Sequence, residues 1–194
     1  IKKFFIKERS DYRGMMETFS RKLVTIFDFD TLKDTVMDTL KKEMLVERVC
    51  ICVPHPGRAK RTKEEDYVFF ADEVLSEKID ASQQSDPLLG TLRDKTRPTP
   101  LADFKMLQER SSLFKRLSDL EVFLVVPLKS QLELEGFIGL SKKTTRFRYS
   151  YEDITLLEVL ANQMVVAMNN ARLYQESLEK QRLEEELSLA REIQ

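Results

Sequence analysis

Three features of the sequence predict an α+β fold, an antiparallel sheet with helices packed on it and long helices at both ends. Apolar runs of strand length come in neighbouring pairs, helical patterns interrupt them, and a helical pattern free of Gly and Pro closes the chain. Hairpin-linked strands favour an antiparallel sheet, because parallel strands need long crossovers.

Residues 1–27 read as a helix. Phe5, Arg9, Tyr12, Met16, Phe19, Leu23 and Ile26 alternate four and three apart, which reads as a coiled-coil seam of about three heptads, the alternative being an amphipathic helix lying on its own domain. Gly14 weakens it by about 1 kcal/mol. Asp30 or Thr31 is the expected cap of a second helix, with Leu32, Val36, Leu40 and Met44 on one side. Residues 48–53 form a β-branched run ended by Pro54, and residues 67–71 form another, joined by a loop holding His55 and Gly57. Asp86, with Pro87 at the first helical position, opens a short helix to about Asp94. Residues 96–100 break it, and residues 101–120 carry a further helical pattern with Phe104, Leu107, Leu113, Phe114 and Leu117. Residues 122–128 are apolar on both faces, as expected of a central strand. Residues 136–140 are its antiparallel partner across the turn at Ser130 and Gln131.

The closing helix organises the chain. Ser150 and Asp153 form its start signature, and about 45 residues could then run as one helix roughly 65 Å long. Ile154, Leu157, Ala161, Val165 and Met168 make one face, which stops there and reads as packing on a core. A second stripe of Leu156, Leu160, Met164, Ala167, Ala171, Tyr174 and Leu178 outlives it and reads as a seam for another helix. Beyond Leu178 the apolar residues resume at Leu183, Leu187 and Ala190, two positions out of phase. Two residues are about 200° of rotation, so Glu179, Lys180, Gln181, Arg182, Leu183 and Leu187 are the expected linker switch between two packings, the alternative being a coil that simply frays at its end.

Composition limits the function classes. The 194 residues carry a net charge of -1 with 34% charged side chains of both signs, which argues against non-specific nucleic-acid binding. The basic run from Arg58 to Lys63 is followed at once by Glu64, Glu65 and Asp66, so it reads as a solvated tip. Cys50 and Cys52, two apart in a strand, share one face and cannot comfortably bridge. They read as structural thiols of a reducing compartment. No segment approaches the length of a membrane span and no signal-peptide pattern opens the chain, so a cytoplasmic location without membrane contact is expected. A chain that begins at Ile1 and stops in mid-pattern at Gln194 is expected to be a fragment. Neither a phosphate-cradling loop nor metal-ligand spacing is present, and no nucleophile has a base beside it. Neither a catalytic residue nor a metal or other cofactor is therefore expected in this piece. Val68, Phe70, Leu88, Leu92, Leu101, Phe104 and Leu107 are candidate walls of a pocket for an unknown small molecule.

The stretch VPLK…EGFIGLSKK…FRYSYEDITLLEVLANQMVVAMNNARLYQE, from Val126 to Glu176, resembles the C-terminal half of a GAF domain. FDFDTLKDTVMDTLKKEM, from Phe27 to Met44, resembles its opening helix. The resemblance implies a GAF-like sheet flanked by coiled-coil helices. Its expected units are a linker helix (residues 1–27), a sensory or regulatory domain (residues 28–172) and a second linker helix (residues 173–194). The tail LEEELSLAREIQ, from Leu183 to Gln194, resembles the linker that precedes bacterial PPM-type (SpoIIE/RsbU-like) serine/threonine phosphatase domains. It implies a downstream phosphatase in the same chain, with the metal-binding aspartates there and not here. The expected role is a regulatory homodimer that signals through its helices. Phe5, Tyr12, Met16, Phe19 and Leu23 are the expected contacts of one seam, and Leu160, Met164, Ala167, Ala171, Tyr174 and Leu178 those of the other. The alternatives are a ligand-free dimerisation spacer of a histidine kinase or cyclase, and a small-molecule receptor. An enzyme of the GAF-fold methionine-sulfoxide-reductase type would need reactive loop cysteines. The cyclic-nucleotide, bilin and haem patterns of GAF relatives are not found.

Overall fold

The computed structural model describes residues 14, 17, 19–23, 26, 28–54, 67–71, 74–78, 86–131, 133–145 and 147–192. Phe5, Tyr12, Met16, His55 and the basic run after Arg58 lie outside them. Residues 19–23 are helical. Helix α1 (Phe29–Met44) follows, then strands β1 (Val49–Pro54), β2 (Tyr67–Ala71) and β3 (Val74–Lys78), and helix α2 (Pro87–Arg93). Next come the short strand β4 (Thr99–Pro100), a 3-10 helix (Leu101–Leu107), helix α3 (Ser112–Asp119), strands β5 (Val122–Ser130) and β6 (Glu133–Ser141), and helix α4 (Tyr151–Glu192).

The strands form one antiparallel sheet in the order β3-β2-β1-β6-β5-β4. Two-residue periodicity gives β1, β2, β5 and β6 two apolar faces, and both are covered. Ile51, Val53, Val68, Phe70, Val126 and Ile138 join a core shared with α1 and α4. Cys50, Cys52, Tyr67, Phe69, Val125 and Phe137 join a second core shared with α2, the 3-10 helix and α3. This explains the composition of β5, which lies one strand in from the edge rather than at the centre. It is apolar on both faces because helices cover both, while β4 pairs only with Leu124 and Val125. The strands β3 and β4 were not evident in the sequence, and the expected helix over residues 101–120 is divided. A 3-10 helix and a turn precede α3, whose cap Ser111 accepts from the Phe114 N–H at 2.9 Å.

β1 and β6 meet closely at two glycines. Gly136 has φ +143°, and a Cβ there would run into the Cys52 carbonyl oxygen. A Cβ on Gly139 would displace the Cys50 thiol. The cap of α1 is Asp28, whose carboxylate accepts from the Thr31 N–H at 2.8 Å, two residues before the earlier of the expected caps.

The buried carboxylate of Asp86 ties the middle helices together. One oxygen accepts from the Leu88 N–H at 2.9 Å and from the Ser111 hydroxyl. The other accepts from the Ser112 hydroxyl and the Leu113 N–H, both at 3.1 Å. A single side chain therefore satisfies orphan N–H groups at the starts of α2 and α3. Asp86→Ala removes the cap of α2 and the acceptor of the Leu113 N–H in α3, and strands the buried Ser111 hydroxyl. It should cost about 3 kcal/mol, read as a lowered urea midpoint at unchanged m value.

Candidate functional site

Register decides what the seven candidate pocket residues can do together. In β2 the side chains alternate, so Val68 and Phe70 face the α1 and α4 side. There the Phe70 ring lies 5.6 Å from that of Phe29, with the Lys33 ammonium 5.0 Å from its centroid. Leu88, Leu92, Leu101 and Phe104 lie on the opposite side of the sheet, with Leu107 half-buried against them. The strand residues that meet them are Tyr67 and Phe69, and the Arg116 guanidinium sits 4.5 Å over the Phe69 ring. The expected common pocket is thus not formed, because a one-residue shift along a strand changes the face. Leu88 and Leu92 are wholly buried and serve as packing. Leu101 alone of the seven borders an open recess of about 260 Å³ between the 3-10 helix, α3 and the start of β5.

Cys50 and Cys52 are reduced and buried in the same core. Burial pushes the Cys52 thiol well above its ordinary pKa, and the neighbouring Cys50 adds to the effect. The reactive species is the thiolate, so such a thiol is inert. A maleimide or disulfide reagent should leave both cysteines unmodified in the folded chain and label both in denaturant. Rapid labelling of the native protein would contradict a purely structural role.

The start of α4 is pinned to the end of β6. The Asp153 carboxylate is buried and accepts from the Lys143 ammonium at 2.6 Å and the Ser150 N–H at 2.7 Å. The Ser150 hydroxyl accepts in return from the Asp153 N–H at 3.2 Å, the expected capping box. Tyr149 donates to the Ser141 carbonyl at 2.7 Å. Burial, and then the Asp153 carboxylate, push the Tyr149 phenol above the ordinary tyrosine range. The folded chain holds that proton more tightly than the unfolded chain. Its contribution is therefore complete below about pH 10 and lost as pH rises beyond, towards the folded value. Tyr149→Phe should flatten the alkaline fall in denaturation midpoint relative to the native chain.

From this anchor α4 runs unbroken for 42 residues. The face of Leu157, Ala161 and Val165 packs on the core, with Ile154 and Met168 half-buried beside it. The second stripe is also buried within the chain as far as Ala171. Leu160, Met164 and Ala167 share the core with Phe19 and Leu23, and the Gln163 amide donates to the Ser20 hydroxyl at 2.6 Å. These residues therefore do not present the free intermolecular seam expected of them: the N-terminal helical stretch of the same chain packs there. Tyr174 and Leu178 are half-exposed. Glu179, Lys180, Gln181, Arg182, Leu183 and Leu187 are exposed on continuous helix, with ion pairs from Lys180 to Glu184 and from Arg182 to Glu186. None of the described helices is long and apolar enough to cross a membrane.

The GAF domain family profile matches residues 28–168. Among solved structures, the GAF domain of a two-component sensor histidine kinase from Bacillus halodurans is 18% identical, with a TM-score of 0.53 over 77% of this chain and 99% of that one. A methyl-accepting chemotaxis protein (its residues 122 to 287) is 14% identical, with a TM-score of 0.58 over 80% of this chain and 98% of that one. The GAF domain of a phosphoenolpyruvate-protein phosphotransferase from Coxiella burnetii is 15% identical, with a TM-score of 0.58 over 84% and 95%. No curated protein sequence matches. At these identities the structures establish a shared fold, and with the family profile they lead to one conclusion: the chain belongs to the GAF domain family.

Proposed function

We propose that this GAF domain is a non-catalytic, homodimeric regulatory module that works by moving its closing helix, and that its output is a PPM-type serine/threonine phosphatase domain. The carrying observation is α4 itself. Its first turn is fixed to the sheet through Asp153 and Lys143, its first half is packed on the core, and from Leu173 on it runs about 30 Å with almost every side chain exposed. A rigid rod anchored at one end converts a small rotation in the domain into a displacement at its tip. The solved relatives, parts of a histidine kinase, a chemotaxis protein and a phosphotransferase, support a regulatory role. The tail of residues 183–194, similar to phosphatase-linked helices, supports the identity of the output.

The fully packed Leu88 and Leu92 favour signalling through helix packing over a small molecule bound beneath the middle helices. The test is a chimera in which a PPM-type phosphatase domain follows Gln194. Inserting seven residues after Lys180 keeps the helical phase and should leave phosphoserine-peptide hydrolysis within about two-fold. Inserting two residues instead rotates the output by about 200° and should change the rate by about ten-fold or more. Equal rates for the two insertions would dismiss a rotation-coupled output.

A further inference from the structure

Exposure along α4 separates two apolar rows that run close together. Leu160, Met164, Ala167 and Ala171 are at most 3% exposed and are used up inside the chain. Val159, Val166 and Leu173, seven residues apart, are 38%, 59% and 59% exposed. Leu187, two heptads after Leu173, is 61% exposed and falls in the same phase. Asn162, Leu183 and Ala190 occupy the alternate position, three residues after a member of the first series, and are exposed too. The two-position shift beyond Leu178 is therefore no break in this row. It marks the change from a stripe buried in the chain to one that runs exposed along the helix.

We infer that this row, Val159–Val166–Leu173–Leu187 with Leu183 and Ala190, is the seam of a parallel, in-register coiled coil with a second copy of the chain. The inference rests on the reading of the module as a homodimer and names the surface that pairs it. Strict sevens over four heptads drift by about 20° per heptad on a straight helix, so only a partner helix that supercoils with this one can follow the row. Most helical stability in proteins comes from packing an apolar face, and within the described residues nothing packs on this one. Asn162 stands in the seam, where an amide meets its own copy only if the helices are parallel and in register. Lys180 falls in the same series, and with Glu176 it makes a polar step between an apolar half near the domain and an apolar half at the tip.

The domain end of the row supplies an independent observation. Val159 and Val166 edge an apolar groove of about 280 Å³, closed on its other side by Ser20 and Leu23 of the N-terminal helical stretch. Gln163 lines the same groove, and its carbonyl oxygen is buried without a hydrogen-bond donor in the single chain. A second copy seated in the groove would cover the valines and bring the polar side chains, Asn162 among them, that can donate to that oxygen.

The experiment places single cysteines in the 194-residue chain at Val166→Cys, Leu187→Cys and, off the seam, Leu178→Cys. Each variant is oxidised mildly, run on non-reducing gels and sedimented, with circular dichroism as the check of folding. Disulfide-linked dimers at positions 166 and 187, and none at 178, are expected. Val166→Asp combined with Leu187→Asp should weaken dimerisation by about 100-fold or more while the domain stays folded. A dimer that links through position 178 and not through 166 would overturn the seam and leave the homodimer standing. A monomer at tens of micromolar that links at no position would overturn both.

Discussion

The buried carboxylate of Asp153 is the constraint on which the helical output depends. It is 1% exposed, and a lone charge in that position would be costly to desolvate. The cost is offset because one of its oxygens, Oδ2, accepts from both the Lys143 ammonium and the Ser150 backbone N–H. Lys143 also bridges to Val46, just after α1, so one contact joins the end of the sheet, the exit of the first helix and the start of α4. Removing either partner would leave the other poorly satisfied, and the rod would lose its fixed end. A lever transmits rotation only if its base is held.

The middle helices are organised by a second carboxylate used in the same way. Asp86 holds the first turns of α2 and α3 against each other, and both helices are too short to be stable alone. The apolar residues they bring lie against the Cys50, Cys52 and Phe137 face of the sheet. The domain is consequently filled on both sides, with α1 and α4 on one face and the short helices on the other. A sheet packed this way passes strain between its faces rather than absorbing it, since close-packed interiors leave little room to yield. This arrangement suits a module whose output is a change in helix packing.

Periodicity along α4 carries more information than one partner can use. Three rows share the helix: one on the core, one under the N-terminal helical stretch, and one exposed. Fully burying a leucine or methionine contributes about 1.5–3 kcal/mol, so the first two rows account for the stability of the domain half of the helix. The third row contributes nothing to a single chain. It is the row that the proposed second copy would cover.

The strands β1, β2, β5 and β6, the cap of α2, the capping box of α4 and the unbroken length of that helix were all legible in the sequence. Each depends on local chemistry: β-branched runs, an Asp before a Pro, a Ser three residues before an Asp, and the absence of Gly and Pro. The GAF-like fold was legible as well, through its glycine pair and its closing helix. Strands β3 and β4 were not, because the first lies among polar residues and the second is two residues held by pairing alone. Tertiary structure also decided which face each residue serves. The pocket set failed because Val68 and Phe70 were assigned without the register of β2, and pairing fixes that register. The stripe from Leu160 to Ala171 is taken up inside the chain for the same kind of reason. Leu160 and Val159 are neighbours about 100° apart on one helix, equally apolar in the sequence, and only the helical stretch packed over Leu160 leaves Val159 exposed. Local periodicity determines that a face is apolar; the rest of the fold determines whether that face is already occupied.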